Sequence, residues 1–321
     1  MRCGFFYQLI QGLEYRRVKI DFPILCPPAF LSYFQRNYII LDPIAILYNK
    51  RAGNGKGREI ADEVVSLLTA RGIWYELLED HWPLQYTGFS AVWIIGGDGT
   101  LNYFINHAHA PFPPLALFKG GTGNDFATLL YGDISVEEMV SRILVSSPRA
   151  VDMGICNGKR FINMAGIGFD GEALKSMQTI RWLGKFLGYY YAVIKTILLF
   201  REPEYEIWFD EHPVVRKNLL LVQVANSSTT GGGFKVSPRA SINDGKLDLM
   251  LCDPLGVFKR FLKLPLIRQG RHMGEPYITH KAVRRVVIKT YTPVPAQLDG
   301  EMIIADQFEF GIVEGYLEFL Y

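Results

Sequence analysis

The sequence predicts an α/β protein in two parts: an N-terminal parallel-sheet domain with glycine-rich loops, and a C-terminal antiparallel β-sandwich-like domain. Three observations carry that reading. Strand-like apolar runs alternate with helical periodicity from residue 43 to about residue 150. Two of those runs lead straight into glycine-rich turns, and beyond about residue 150 short apolar runs with turn signals take over. A chain of 321 residues accommodates two domains comfortably.

Taken in order, residues 1–42 are broken by Pro23, Pro27 and Pro28 and carry aromatic residues without a period, so they read as an extension with no assigned role. No secretory signal is expected there, because Gln, Glu, Arg and Lys interrupt the apolar positions. Regularity begins at Pro43. Ile44–Tyr48 is a short buried strand, followed by a turn-rich Asn49–Gly57 and a helix from Arg58 to Arg71. Ile60, Val64, Val65 and Leu68 fall at helical spacing in that helix, and Gly72 caps it. Trp74–Leu78 is a second strand. Ala91–Ile95 is a third, entering Gly96-Gly97-Asp98-Gly99-Thr100 and then a helix from Leu101. Leu115–Phe118 is a fourth, entering Lys119-Gly120-Gly121-Thr122-Gly123-Asn124-Asp125 and another helix. Strands alternating with helices argue for a parallel sheet in 43–150. Strands are then expected at Arg160–Met164, Tyr205–Phe209, Leu219–Ala225, Lys246–Cys252 and Val283–Thr290, with helices near 181–200 and 256–267. The second domain is drawn as 151–305, with residues 306–321 as candidates to return to the first.

Composition excludes several classes. Apolar residues make up 49% and charged residues 21%, which is globular rather than disordered. A net charge of +2 gives no concentrated basic surface for nucleic acid. Cys3, Cys26, Cys156 and Cys252 are too scattered for a paired metal site and read as reduced, mostly buried thiols of a cytoplasmic protein. His107 and His109, two apart, face different sides of a helix and would not share a metal. Lys185 and Lys195 interrupt the most apolar stretch, 181–200, so no transmembrane span is expected.

The chemistry sits in the glycine loops. Glycines let a backbone approach a phosphate closely, and the following helix offers unpaired N–H groups and the positive end of its dipole. Asp98 would orient the loop or hold magnesium through water, and Thr100 would donate a hydroxyl. A tight turn capped by Asp is the bland alternative, but two glycines before Asp-Gly-Thr exceed what a cap requires. The loop Gly120–Asp125 repeats the device one strand later, at the edge of a parallel sheet where ligands bind in open α/β folds. Asn49–Gly57 adds Lys50, Arg51 and Lys56 to that edge, without matching a P-loop, and no loop fits the dinucleotide fingerprint.

These two glycine blocks, the second running on through Phe126 and Ala127, resemble the diacylglycerol kinase catalytic family, close to bacterial soluble lipid kinases. The likeness continues through Asn163–Gly171, Asn226–Gly233, Asn243–Asp248 and Leu298-Asp299-Gly300-Glu301, and covers roughly residues 43–321. The first block also occurs in NAD kinases and phosphofructokinases; the second and the last two are more specific. The resemblance implies a cytoplasmic enzyme, transiently at the membrane surface, that uses ATP and Mg²⁺ to phosphorylate a membrane lipid, diacylglycerol-like in class. It makes 43–150 the nucleotide domain and 151–305 the lipid-binding domain. Asn49, Gly96, Gly97, Asp98, Gly99, Thr100, Gly121, Thr122, Asn124 and Asp125 would then form the ATP site. Asp299 would be the general base, with Glu301 near the reacting phosphate or metal, and Asp244 would hold a structural magnesium with main-chain oxygens near Ser241 and Lys246. From the residues alone, Asp299-Gly300 reads as a hairpin turn and Asn243-Asp244-Gly245 as a turn.

Two positions depart from the family. Tyr103 follows Asn102 where Glu is usual, and Thr128 stands where Arg is usual, which leaves Asp125 and Asp152 without their cationic partner; Lys119 is the candidate replacement. Arg181, Trp182, Lys185, Tyr189, Tyr190, Tyr191 and Lys195 mix basic and aromatic residues in a way that suits peripheral membrane contact, and Lys259, Arg260, Lys263, Arg268 and Arg271 form a second basic region. Residue by residue, ordinary amphipathic helices explain these equally well. A homodimer stays open. The alternatives to a lipid kinase are an NAD kinase-like enzyme for a soluble substrate and a non-catalytic lipid- or nucleotide-binding protein.

Overall fold

The computed structural model describes residues 42–49, 52–79, 81–179 and 185–321. The expected extension lies outside them except for Asp42, as do Lys50, Arg51, Arg181 and Trp182. Strands β1 (Ile44–Tyr48), β3 (Ala91–Gly96) and β4 (Leu115–Lys119) are almost wholly apolar and buried on both faces, as parallel strands between helical layers must be. They pair in the order β4-β3-β1, and β2 (Tyr75–Glu79), more exposed, closes the edge. Helix α1 (Lys56–Ala70) turns Ile60, Ala61, Val64 and Leu68 into this core. Helix α2 (Asp98–His107) starts three residues earlier than the apolar period suggests. The Thr100 and Leu101 amides both donate to the Gly97 carbonyl, so Asp98-Gly99-Thr100 is already its first turn. Helices α3 (Asp125–Tyr131) and α4 (Val136–Val145) complete the layer.

The second half is antiparallel and continuous with the first, in one 14-stranded sheet. Its strands are β5 (Pro148–Cys156), β6 (Lys159–Phe161), β7 (Met164–Gly168), β8 (Glu204–Phe209), β9 (Val215–Asn218), β10 (Leu221–Ala225), β11 (Leu247–Cys252), β12 (Ile278–Val283), β13 (Arg285–Leu298) and β14 (Glu301–Leu320). Period-2 alternation gives β10 two buried faces: Val222 and Val224 enter one cluster with Ile167 and Leu249, while Leu221 and Ala225 enter another with Met250 and Cys252. Helices α5 (Phe169–Thr179), α6 (Lys185–Leu199) and α7 (Val257–Arg268) belong to this half, α5 packing on α6 and α6 on α7. Cys156 and Cys252 are buried and free, their thiols pushed up to about 12 by burial.

Three expectations change. The run Arg160–Met164 is two strands, because Ile162 and Asn163 turn their amides onto the Asp299 carboxylate instead of continuing a ladder. The run Val283–Thr290 splits at Arg284, whose amide, like that of Arg285, donates to the Asp210 carboxylate. The drawn boundary at 305/306 falls inside one strand: β14 pairs with β13 from Glu301 to Gly311, then with β5, and meets β4 in parallel at Phe319↔Leu115. Strand β14 is thus the seam between the halves. Phe319, fully buried, meets Phe126 of α3 edge to face at 5.3 Å. Phe319→Ala is expected to lower stability by about 3–5 kcal/mol, read as an earlier denaturant midpoint for both halves together.

Candidate active site

The two glycine loops interlock. The Asp98 amide donates to the Gly123 carbonyl at 3.1 Å, and the Asp98 carboxylate accepts the first amides of α3, from Asp125 (2.9 Å) and Phe126 (3.0 Å). Burial raises the Asp98 pKa against the pull of those two amides. Both oxygens are thereby engaged, which is the loop-orienting role. Glycine is required at the crossing: a Cβ at Gly97 would collide with the Gly123 carbonyl, and one at Gly121 with the Gly97 backbone. A Cβ at Gly99 would meet nothing within 4 Å.

Asn49, Gly97, Asp98, Gly99, Thr100, Gly121, Thr122 and Asp125 line one cavity of about 1280 Å³. Gly96 and Asn124 do not line it: Gly96 packs under the Thr100 side chain, and Asn124 folds back to bond both the amide and the carbonyl of Gly121 at 3.0 Å. Asp125, only 9% exposed, accepts the Gly232 and Gly233 amides at 2.8 Å each. Asp152 likewise takes the Gly245 and Gly315 amides, at 2.7 and 2.8 Å. The expected role of Lys119 is therefore corrected: its ammonium bonds the Gly132 carbonyl and Asp133, and backbone amides satisfy both carboxylates.

Asp299 and Gly300, with φ of 47° and 87°, close the hairpin between β13 and β14 as Asp-Gly pairs do. The turn and the functional reading coincide, because Asp299 also lines the cavity. Its carboxylate accepts the amides of Ile162 (2.7 Å), Asn163 (2.9 Å) and Met164 (3.0 Å) and the Asn102 side chain (3.2 Å). Burial outweighs these four donors and pushes its pKa up to about 6. Asn102 itself is locked by the Arg160 carbonyl and Asn106. Glu301 is exposed and lines no part of the cavity.

Asp244, Ser241 and Lys246 also lie outside the cavity lining. Asp244 is exposed and accepts the Lys246 amide at 3.1 Å, while the Ser241 hydroxyl bonds Asn243 at 2.9 Å. These bonds close a turn unaided. Among the described residues, no three His, Cys, Asp or Glu side chains cluster as metal ligands. A site of one carboxylate and main-chain oxygens, as expected at Asp244, would not form such a cluster, and no chemistry is assigned to it.

Asp170 and Gln223, which line the cavity, were not among the site residues expected from the sequence. Asp170, at the start of α5, accepts a 2.9 Å bond from Gln223 on β10; burial raises its pKa against that bond. The Gln223 side-chain amide oxygen is buried without a partner among the described residues. Beyond this pair the walls become apolar, with Phe169, Leu174, Met177, Val193, Val236 and Ile267. At the other rim Tyr103, half-exposed, stacks on His107 at 3.9 Å and meets Trp82 edge-on at 5.9 Å. An aromatic rim therefore stands where Glu was expected.

Residues 43–156 match the diacylglycerol kinase catalytic domain, and residues 163–320 match the YegS C-terminal NAD kinase beta sandwich-like domain. The chain is 29% identical to a diacylglycerol kinase of Bacillus subtilis (strain 168) over 220 residues, 66% of this chain and 71% of that protein. It is 27% identical to a diacylglycerol kinase of Mycobacterium tuberculosis (strain ATCC 25618 / H37Rv) over 247 residues, 72% of this chain and 79% of that one. The fold resembles the crystal structure of a diacylglycerol kinase from Bacillus anthracis str. Sterne, with a TM-score of 0.70 at 23% identity, covering 87% of this chain and 97% of that chain.

The loop geometry separates two glycines. Gly121→Ala is expected to lower the thermal midpoint, because the new methyl group strikes backbone. Gly99→Ala should leave the midpoint unchanged, since its methyl group points into open space. Thermal melts of the two variants beside the parent check this.

Proposed function

The chain belongs to the diacylglycerol kinase catalytic-domain family, and from that premise we propose that it transfers the γ-phosphate of ATP to a hydroxyl of a lipid, diacylglycerol-like in class. The observation that carries this reading is the single cavity that joins the glycine loops, Asp299 and an apolar end. Phosphoryl transfer asks a protein mainly to position two reactants, neutralise charge and accept a proton. Each requirement has its residues here.

ATP enters as its magnesium complex, a substrate, with its phosphates over Gly97–Gly99 and Gly121–Gly123, beside the N-terminus of α2. Asn49, Thr100 and Thr122 supply side-chain polar groups on the same wall. The lipid lies at the other end, its chains along Leu174, Met177 and Val193 and its polar head by Asp170 and Gln223. Between them Asp299 takes the hydroxyl proton. An ionised carboxylate has about four lone-pair directions, and four protein donors occupy them. The Asn102 bond, longest of the four at 3.2 Å, is the one the lipid hydroxyl replaces. With a pKa of about 6, Asp299 is a stronger base than an ordinary aspartate and is still mostly ionised at neutral pH.

The test is transfer of labelled phosphate from ATP with Mg²⁺ to a total lipid extract in mixed micelles, for the parent chain and Asp299→Asn. A labelled lipid is expected, with the rate reduced by roughly 10² to 10⁴-fold in the variant. Since the base works ionised, kcat/KM should fall as pH drops through about 6, an acid limb independent of any damage a substitution does to the fold. Nucleotide binding without a labelled lipid would favour the non-catalytic reading. A labelled NAD in place of a lipid would favour the soluble-substrate kinase.

A further inference from the structure

Asn102, the side chain through which α2 meets Asp299, has a second asparagine one turn further on. Four residues apart on a helix, Asn102 and Asn106 share a face. Asn102 is buried and Asn106 is exposed, yet the Asn106 amide is fully engaged. Its nitrogen donates to the Asn102 carbonyl (2.9 Å), to Asn102 Oδ1 (3.3 Å) and to the Arg160 carbonyl on β6 (3.0 Å). Its oxygen accepts the Arg160 amide at 2.9 Å.

These bonds have a direction. A backbone N–H only donates and a carbonyl only accepts, so Arg160 allows the Asn106 amide one orientation. Asn106 then presents its nitrogen to Asn102 Oδ1, and the Asn102 nitrogen is left to face Asp299 (3.2 Å) and the Arg160 carbonyl (3.3 Å). Reversed, Asn102 would set an amide oxygen against the Asp299 carboxylate, lone pair to lone pair. The charged groups on the elements that meet Asp299 are exposed or engaged elsewhere. Glu301 and Lys159 are exposed, and His107 bonds the Tyr103 carbonyl. Asp98 holds the α3 amides, and the Arg160 guanidinium goes to the Ile105 carbonyl and lies over the Tyr316 ring. Asp125 and Asp170, which line the same cavity, bond the Gly232–Gly233 amides and Gln223.

We propose that Asn106 is a positioning residue for Asp299: it acts through Asn102, holding that amide in the one orientation that donates to the carboxylate. The polarity of the Arg160 backbone thus reaches Asp299 through two side chains. Asn102 favours the ionised form of Asp299 against burial, so Asn106 helps set the pH at which the base is available. A purely structural Asn106 would clip α2 to β6 through Arg160 and leave Asp299 indifferent to its loss. That Asp299 serves as a base rests on the lipid-kinase reading; the bonds that position it do not.

The experiment follows the Asp299 carboxyl by ¹³C NMR in the ligand-free full chain, for Asn106→Ala, Asn102→Ala and the double variant. A lost donor to the ionised form raises the midpoint. Asn102→Ala is expected to raise it by roughly one pH unit, and Asn106→Ala by roughly half as much or more, in the same direction. The double variant should match Asn102→Ala alone, because Asn106 acts through Asn102. In turnover, a rise of half a unit makes kcat/KM of Asn106→Ala about threefold lower at pH 5 and leaves it close to parental at pH 8. A parental midpoint in Asn106→Ala would overturn the proposal, even with a lowered thermal midpoint, since only the clip would then remain. So would a further shift on adding Asn106→Ala to Asn102→Ala. A parent chain that labels no lipid, with the midpoints moving as expected, would sink the kinase reading and support the positioning of Asp299.

Discussion

The Asp299 carboxylate is the point through which the active region is held together. In one group it joins the β13–β14 turn, the link between β6 and β7, and the first helix after the glycine loop. Other junctions use the same physics. Asp98 ties one glycine loop to the next, Asp125 ties α3 to the Gly232–Gly233 turn, and Asp152 ties β5 to Gly245 and Gly315. A carboxylate accepting backbone amides makes charge-assisted bonds of fixed direction. An arginine is therefore not needed at these junctions, and its absence at Thr128 leaves no carboxylate unsatisfied. The price of the arrangement is burial, which raises the pKa of Asp98 and Asp299 even with their donors in place.

That constraint sorts the cavity into functions. Its glycine end is built of backbone that a side chain at Gly97 or Gly121 would disrupt, and it offers amides beside the polar side chains of Asn49, Thr100 and Thr122. Its far end is built of aliphatic and aromatic walls on α5, α6, α7 and β10, with Asp170 and Gln223 as the polar pair before they begin. Strand β14 joins the sheets beneath both ends, which makes the relative position of the two walls a property of one ladder and not of a flexible linker.

Much of this was legible in the sequence, and for local reasons. Continuous apolar runs named the parallel strands almost to the residue, and the glycine blocks after two of them named the edge where a ligand would sit. What was hidden depends on contacts between distant parts of the chain. Asn102 meets Asp299 across 197 residues, and Asp170 meets Gln223 across 53. No periodicity marks either pair. The split of Arg160–Met164 into two strands was hidden for the same reason, because the amides that leave the ladder go to a side chain far along the sequence. Lys119 is not needed beside Asp125 and Asp152, because glycine amides suffice there. Glu301 belongs to a motif but sits on the solvent side of its hairpin, which a one-dimensional motif does not record.

The central claim is that Asp299 is a half-buried carboxylate poised to gain a proton near neutrality. Its most direct measurement is a titration of the Asp299 carboxyl carbon by ¹³C NMR in protein labelled at aspartate, with Asp299→Asn supplying the assignment. The account predicts a midpoint near about 6 in the ligand-free protein. A midpoint at or below about 3.9, the value of an unperturbed aspartate, would contradict it and reduce Asp299 to a structural clamp.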